Sequence, residues 1–99
     1  RQRIAAELGF AALPAKFPLS RIEVLRQLVA AQRCNRLDQL RDTHENDWRV
    51  LTLRFGLAPH QPAAYRTLEE VGTLMGGYTR ERIRQLEDRG LASLGIAAE

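Results

Sequence analysis

The chain has 99 residues, 44% of them hydrophobic and 27% charged, with a formal net charge of +3. That is the length and balance of one small globular domain, or of two very small units sharing a core, and it excludes a disordered tail. No apolar run approaches the roughly 18 residues of a membrane span, no signal-peptide pattern opens the chain, and the single cysteine, Cys34, excludes an internal disulfide and fits a reducing, cytoplasmic setting.

The first residue is Arg1 rather than methionine, so a piece of a longer protein is expected. Charge is unevenly spread. Residues 1–41 hold eight basic and three acidic side chains, and residues 42–99 hold seven basic and nine acidic. The second part is therefore slightly acidic, which predicts weak binding to a polyanion by that part alone.

In chain order, Arg1–Leu8 reads as a short helix ended by Gly9, and Phe10–Pro18 as a loop broken by Pro14 and Pro18. Ser20-Arg21-Ile22-Glu23 has the form of a capping box opening a helix to about Gln32. Ile22, Leu25, Leu28 and Val29 make its apolar stripe. Arg21, Arg26 and Arg33 point away from that stripe and, with Arg36, form a basic face able to touch phosphates or simply to be solvated. Cys34 reads as a small, partly buried side chain. After a break near Asn35, Leu37 and Leu40 fit another short helix.

Thr43 is read as the cap of the next helix, with Glu45 and Asp47 favourably placed near its positive end. That helix runs through Trp48, Leu51 and Phe55 and stops at Gly56. A linker from Leu57 to Arg66 contains Pro59 and Pro62. Thr67-Leu68-Glu69-Glu70 is a second capping box, followed by a short apolar stripe of Leu68, Val71 and Leu74 with Met75 beside it. Gly76-Gly77 supplies the backbone angles of a tight turn.

The last helix begins after Thr79, a good capping residue. Ile83, Leu86, Gly90 and Leu94 recur at three-to-four spacing and predict its buried stripe. At about 100° per residue, Glu81, Arg84, Gln85 and Asp88 fall on the opposite side, with Arg80 at its edge. Arg82 and Arg89 share a third flank. Arginine pairs bidentately with guanine, glutamine with adenine, and a carboxylate accepts from cytosine N4, so this side chain set suits a base-reading helix. A solvated face of mixed charge is the plainer alternative for the same residues. Helix, glycine turn and polar-faced helix together make a helix-turn-helix. The fold class expected is all-α: a small helical domain with a C-terminal helix-turn-helix over residues 43–99 and an N-terminal helical extension over residues 1–42.

Three stretches in order, Leu51-Thr52-Leu53-Arg54-Phe55-Gly56-Leu57, Thr67-Leu68-Glu69-Glu70-Val71-Gly72 and Thr79-Arg80-Glu81-Arg82-Ile83-Arg84-Gln85-Leu86-Glu87, closely resemble region 4 of housekeeping-type bacterial RNA polymerase sigma factors. The resemblance covers roughly residues 45–95. It implies a domain that reads the promoter −35 element in the major groove and docks on the flap tip of the polymerase β subunit. Carried over by position, Arg80, Glu81, Arg84 and Gln85 face bases or nearby phosphates, Arg82 contacts the backbone, and Thr79 and Arg89 complete the DNA-binding set. Leu51, Arg54, Phe55 and Leu57, with the first helix of the motif, belong to the polymerase-docking set. The chain departs from the family pattern in three places. One extra residue separates Gly72 from Thr79, the 57–66 linker is longer, and Asp88 stands where basic residues usually follow.

Other chemistries lack their residues. His44 and His60 do not sit at metal-ligand spacing with cysteine or carboxylate. No serine–histidine or cysteine–histidine pairing stands out, and Gly76-Gly77 has neither the preceding strand nor the lysine of a phosphate loop. No enzyme activity, cofactor, small-molecule substrate or membrane partner is expected. Three functional readings follow: a promoter-reading and polymerase-docking module, a protein-interaction module that keeps the same fold and binds polymerase or a regulator without DNA, or a sigma-like domain appended to an otherwise unrelated protein.

Overall fold

A computed structural model describes residues 2–7, 17–57 and 65–96. The helices are α1 (Gln2–Glu7), α2 (Ile22–Arg33), α3 (Arg36–Thr43), α4 (Glu45–Phe55), α5 (Leu68–Leu74) and α6 (Arg80–Ser93), with a 3-10 turn, Leu19–Arg21, leading into α2. No strand occurs among the described residues, and the fold is all-α as the sequence predicts. The expected loop at 10–16, the linker at 58–64 and His60 lie outside the described residues.

Helix α2 buries Ile22, Val24, Leu25, Leu28, Val29 and Ala31, a wider stripe than the four residues expected. The capping box at Ser20 is not formed. The chain enters α2 through the 3-10 turn, closed by the Arg21 amide on the Pro18 carbonyl at 3.0 Å, and no side chain caps the helix. Arg21 itself is buried rather than turned away from the core. Asn35 adopts a left-handed backbone, φ 63°, which asparagine tolerates better than most residues, and this is the break between α2 and α3. Cys34 beside it is exposed, not partly buried.

Helices α3 and α4 are joined through His44 alone. The expected cap at Thr43 is absent: Thr43 is the last residue of α3, and its hydroxyl donates back to the Gln39 carbonyl at 3.1 Å. Helix α4 then stops at Gly56, whose φ of 66° lets the Leu57 amide return to the Thr52 carbonyl at 2.9 Å.

Helix α4 stands between two apolar clusters. Leu51 and Phe55 face the first, with Phe17, the α2 stripe, Leu37 and Leu40 of α3, Leu57, and Leu91, Leu94 and Ile96 from the end of α6 and beyond. Trp48 and Tyr65 are half-buried against it. Val50 and Leu53 face the second, with Val71 of α5 and Ile83 and Leu86 of α6, flanked by Leu68 and Met75. Burying each such side chain contributes about 1.5–3 kcal/mol. The second cluster therefore holds the α5–α6 pair against α4, and the first holds α2 and α3 against the other side of the same helix.

Candidate nucleic-acid interface

Helix α5 opens with the expected capping box. Thr67 Oγ1 accepts from the Glu70 amide at 3.1 Å, and the Glu70 carboxylate accepts from the Thr67 amide at 2.8 Å. Val71 is buried, Leu68 and Met75 are half-buried, but Leu74 is 57% exposed and does not join the stripe. At about 100° per residue Leu74 lies roughly 120° round the helix from Leu68 and farther still from Gly72, so it turns outward once Val71 and Gly72 are pressed inward.

The connection to α6 closes on Gly72. Its carbonyl accepts from the amides of both Gly77 and Tyr78, at 2.9 and 3.1 Å, and a Cβ at Gly72 would collide with the Tyr78 carbonyl. Gly76 and Gly77 take φ of 94° and 101°, which side chains rarely adopt. Thr79 then caps α6, accepting from the Arg82 amide at 3.2 Å.

Helix α6 buries Ile83, Leu86, Gly90 and, just past its end, Leu94, as the spacing predicts, and also Glu87 and Leu91. At Gly90 a Cβ would come within 3.0 Å of a Leu51 methyl and 3.3 Å of the Asp47 Cβ, so this glycine lets α6 approach α4. Arg80, Glu81, Arg82, Arg84 and Gln85 are exposed, and Asp88 is half-exposed beside them. One helix thus packs with one face and leaves the other open along its first two turns.

The open face is internally paired. Arg84 Nε and Nη2 both donate to the Glu81 carboxylate, and Arg84 Nη1 donates to Asp88 at 2.9 Å. Arg84 holds the Glu81 carboxyl below its ordinary value, chiefly by these hydrogen bonds, and Glu81 in turn raises Arg84. Gln85 also reaches Glu81, at 3.4 Å. Arg80 pairs with Glu69 of α5 at 3.1 Å. Arg89 donates twice to Asp47 of α4, at 2.8 and 2.9 Å, a bond that raises Arg89 and satisfies a carboxylate with no exposed surface. Among the described residues no ion pair engages Arg82. Of the seven side chains the resemblance assigns to DNA, Thr79 caps the helix, Arg89 ties it to α4, and the other five lie on the open face.

The four residues assigned to polymerase docking sit differently. Leu51, Phe55 and Leu57 are buried in the first cluster. Arg54 is nearly buried and lies 2.6 Å from Glu87 as an ion pair whose Nε–H is not aligned on the oxygen, while its Nη1 donates to the Arg66 carbonyl at 2.7 Å. Arg66 answers with a bond to the Leu53 carbonyl at 2.9 Å, which fastens the return of the chain to the end of α4.

Three groups escape a reading of the sequence. Glu87 is buried between Arg54 and Arg21, with Arg21 Nη2 at 2.8 Å, Arg21 Nη1 on the Tyr65 hydroxyl at 3.2 Å, and the guanidinium 5.0 Å above the Phe55 ring. Burial works against the Arg21 charge, but Glu87 and Tyr65 outweigh it and the guanidinium is raised. Asp47 is the third. The available signal was positional: Glu87 is four residues after Ile83 and three before Gly90, inside the predicted apolar stripe, where a carboxylate needs a buried cation. The expected basic face of the N-terminal segment does not assemble. Arg21 is inside, Arg26 pairs with Glu7 at 3.2 Å, and Arg36 donates to the Leu94 carbonyl at 2.8 Å.

No helix among the described residues is long and apolar enough to cross a membrane. Residues 37–94, more than half of the chain, match the family described as sigma-70, region 4. The chain is 48% identical over 68 residues to the RNA polymerase sigma factor SigA of Listeria monocytogenes, a stretch that covers 69% of this chain and 16% of that protein. No solved structure matches significantly.

Proposed function

Because the chain belongs to the sigma-70 region 4 family, and is thus a sigma region 4-like transcription module, we propose that it reads promoter DNA of the −35 type through α6 and docks on the flap of the RNA polymerase β subunit. The observation that carries this reading is the open face of α6. Arg80, Glu81, Arg84 and Gln85 are exposed on the first two turns of a capped helix whose opposite side is locked into a core. That is how a recognition helix presents side chains to a groove. Arginine and glutamine supply bidentate readout of purines and Glu81 an acceptor for cytosine. Arg82, in no ion pair among the described residues, is the phosphate contact.

For polymerase we propose α5 and the end of α4 as the docking side. Leu51, Phe55 and Leu57 anchor the end of α4 in the first cluster, Val50 and Leu53 support α5 from beneath, and exposed Leu74 borders a shallow cavity of about 330 Å³ with Arg66, Glu70 and Thr73. A module tethered in this way needs little affinity of its own, because docking raises its effective concentration at the promoter.

A second reading, a protein-interaction module without DNA contact, draws on the acidic residues that hold Arg80, Arg84 and Arg89. A salt titration separates the two, using a duplex that carries a −35-like hexamer and a scrambled duplex. A preference for the hexamer that persists as salt rises supports base readout. Weak, equal binding lost at modest salt leaves only phosphate attraction and favours the second reading.

A further inference from the structure

All three guanidinium nitrogens of Arg84 are engaged before any DNA arrives, with one N–H left over on each Nη. Nε and Nη2 form the fork that would meet a guanine, and both are on Glu81; the remaining nitrogen, Nη1, is on Asp88. Glu81, Arg84 and Asp88 follow one another at three and four residues, a single line along the open face. Asp88 differs from its neighbours in being half-shielded at the base of that face, and in holding no partner among the described residues other than Arg84.

Resting on the promoter-reading function above, we propose that Asp88 is a specificity-determining residue: it holds Arg84 against Glu81 and withholds it from phosphates. A phosphate is a charged, bidentate acceptor, but it takes Arg84 only by drawing it away from Glu81 and Asp88, which are then left as two bare carboxylates facing the polyanion. A guanine edge offers two acceptors in the spacing of the fork, while Glu81 passes to a neighbouring base. The clamp therefore lowers binding to arbitrary duplex more than binding to the matching one. Arg82, outside the clamp, carries the sequence-independent contact.

The test compares the full chain, Asp88→Asn, Arg84→Ala and the double variant on hexamer and scrambled duplexes across a salt series. Asp88→Asn preserves shape, and circular dichroism verifies that each variant keeps its helix content. The expected result is about five-fold tighter binding of Asp88→Asn to the scrambled duplex, the scale of one exposed ion pair. Its salt slope should steepen by about one, the gain on the hexamer should be smaller, and no gain should remain in the double variant. Unchanged binding by Asp88→Asn, an equal gain on both duplexes, or a gain that persists without Arg84 overturns the clamp while leaving promoter reading intact. If the wild type shows no hexamer preference and no variant binds either duplex, promoter reading falls and the clamp falls with it.

Discussion

Arg21 and Glu87, 66 positions apart, meet at 2.8 Å inside the protein, with 11% and 6% of their side chains exposed. The pair joins the turn that precedes α2 to the helix proposed to read DNA, and Arg54 completes it from α4. Two cations around one carboxylate make the three positions unequal. Glu87→Ala leaves two buried guanidinium groups opposed only to each other, and it should lower unfolding stability by about 3–5 kcal/mol. Arg21→Ala leaves Glu87 with Arg54 and should cost about 1–3 kcal/mol. Urea denaturation of both variants and the double variant checks the order. A double variant no less stable than Glu87→Ala alone is expected, since Arg21 has no carboxylate to lose once Glu87 is gone.

Gly90 lies within α6, where alanine would ordinarily gain about 1 kcal/mol. Here the new methyl meets Leu51 at 3.0 Å and Asp47 at 3.3 Å, both on a buried helix face. Overpacking of this kind costs about 1–3 kcal/mol. Gly90→Ala is therefore expected to destabilise, and a rise in the denaturation midpoint would show that α4 and α6 can part without cost.

Thr79 satisfies the Arg82 amide at the start of α6, the turn that carries the side chains proposed to read DNA. Thr79→Ala should lose about 1 kcal/mol of stability, and Thr79→Asp should retain most of it. Amide hydrogen exchange at residues 80–83 localises the effect: faster exchange there, with the core unchanged, is the expected pattern.

The arginines of α6 should separate by salt dependence. Arg82→Ala is expected to weaken binding to hexamer and scrambled duplexes alike and to flatten the salt slope by about one. Arg84→Ala and Gln85→Ala should weaken the hexamer by about 1–3 kcal/mol and leave the scrambled duplex nearly untouched, without unfolding the domain. Equal binding by wild type and all three variants would argue against base readout by this helix.

Glu81 titrates below the ordinary glutamate value because Arg84 bonds its charged form. A lowered carboxyl contributes stability that is present above its unfolded value and is lost as pH falls through the folded one. A carbonyl-detected NMR titration should therefore find the Glu81 midpoint depressed, and Arg84→Ala should raise it. A midpoint that does not move on that substitution would mean the fork is not closed in solution.

Much of the helix-turn-helix is written locally. The capping box at Thr67, the cap at Thr79, the glycine turn and the stripe of Ile83, Leu86, Gly90 and Leu94 each depend on neighbours within a few residues, and each forms as expected. The errors are of another kind. Ser20 and Thr43 carry capping side chains, but tertiary packing decides where α2 and α4 begin, and neither caps them. Arg21 looks like a surface cation until the fold brings Glu87 and Tyr65 to it. Leu74 fits an apolar spacing, but packing turns α5 inward on Val71 and Gly72 and leaves Leu74 outside. In the candidate interface the exposed residues were legible from helical periodicity. Their pairing with Glu69 across the α5–α6 step, and that of Arg89 with Asp47, depends on contacts between helices that spacing within one helix does not encode.

The turn between α5 and α6 departs from Gly72 and comes back to it, since the amides of Gly77 and Tyr78 both end on the Gly72 carbonyl. The last turn of α5 and residues 75–77 thus run inside a fixed gate, and a side chain added at Gly76 or Gly77 would meet open space. The gate, rather than the path through Gly76 and Gly77, fixes where α6 starts, so a residue added beside those two glycines is expected to leave the angle of α6 unchanged. A side chain at position 72, by contrast, would prop the gate open and carry the start of α6 away from α5.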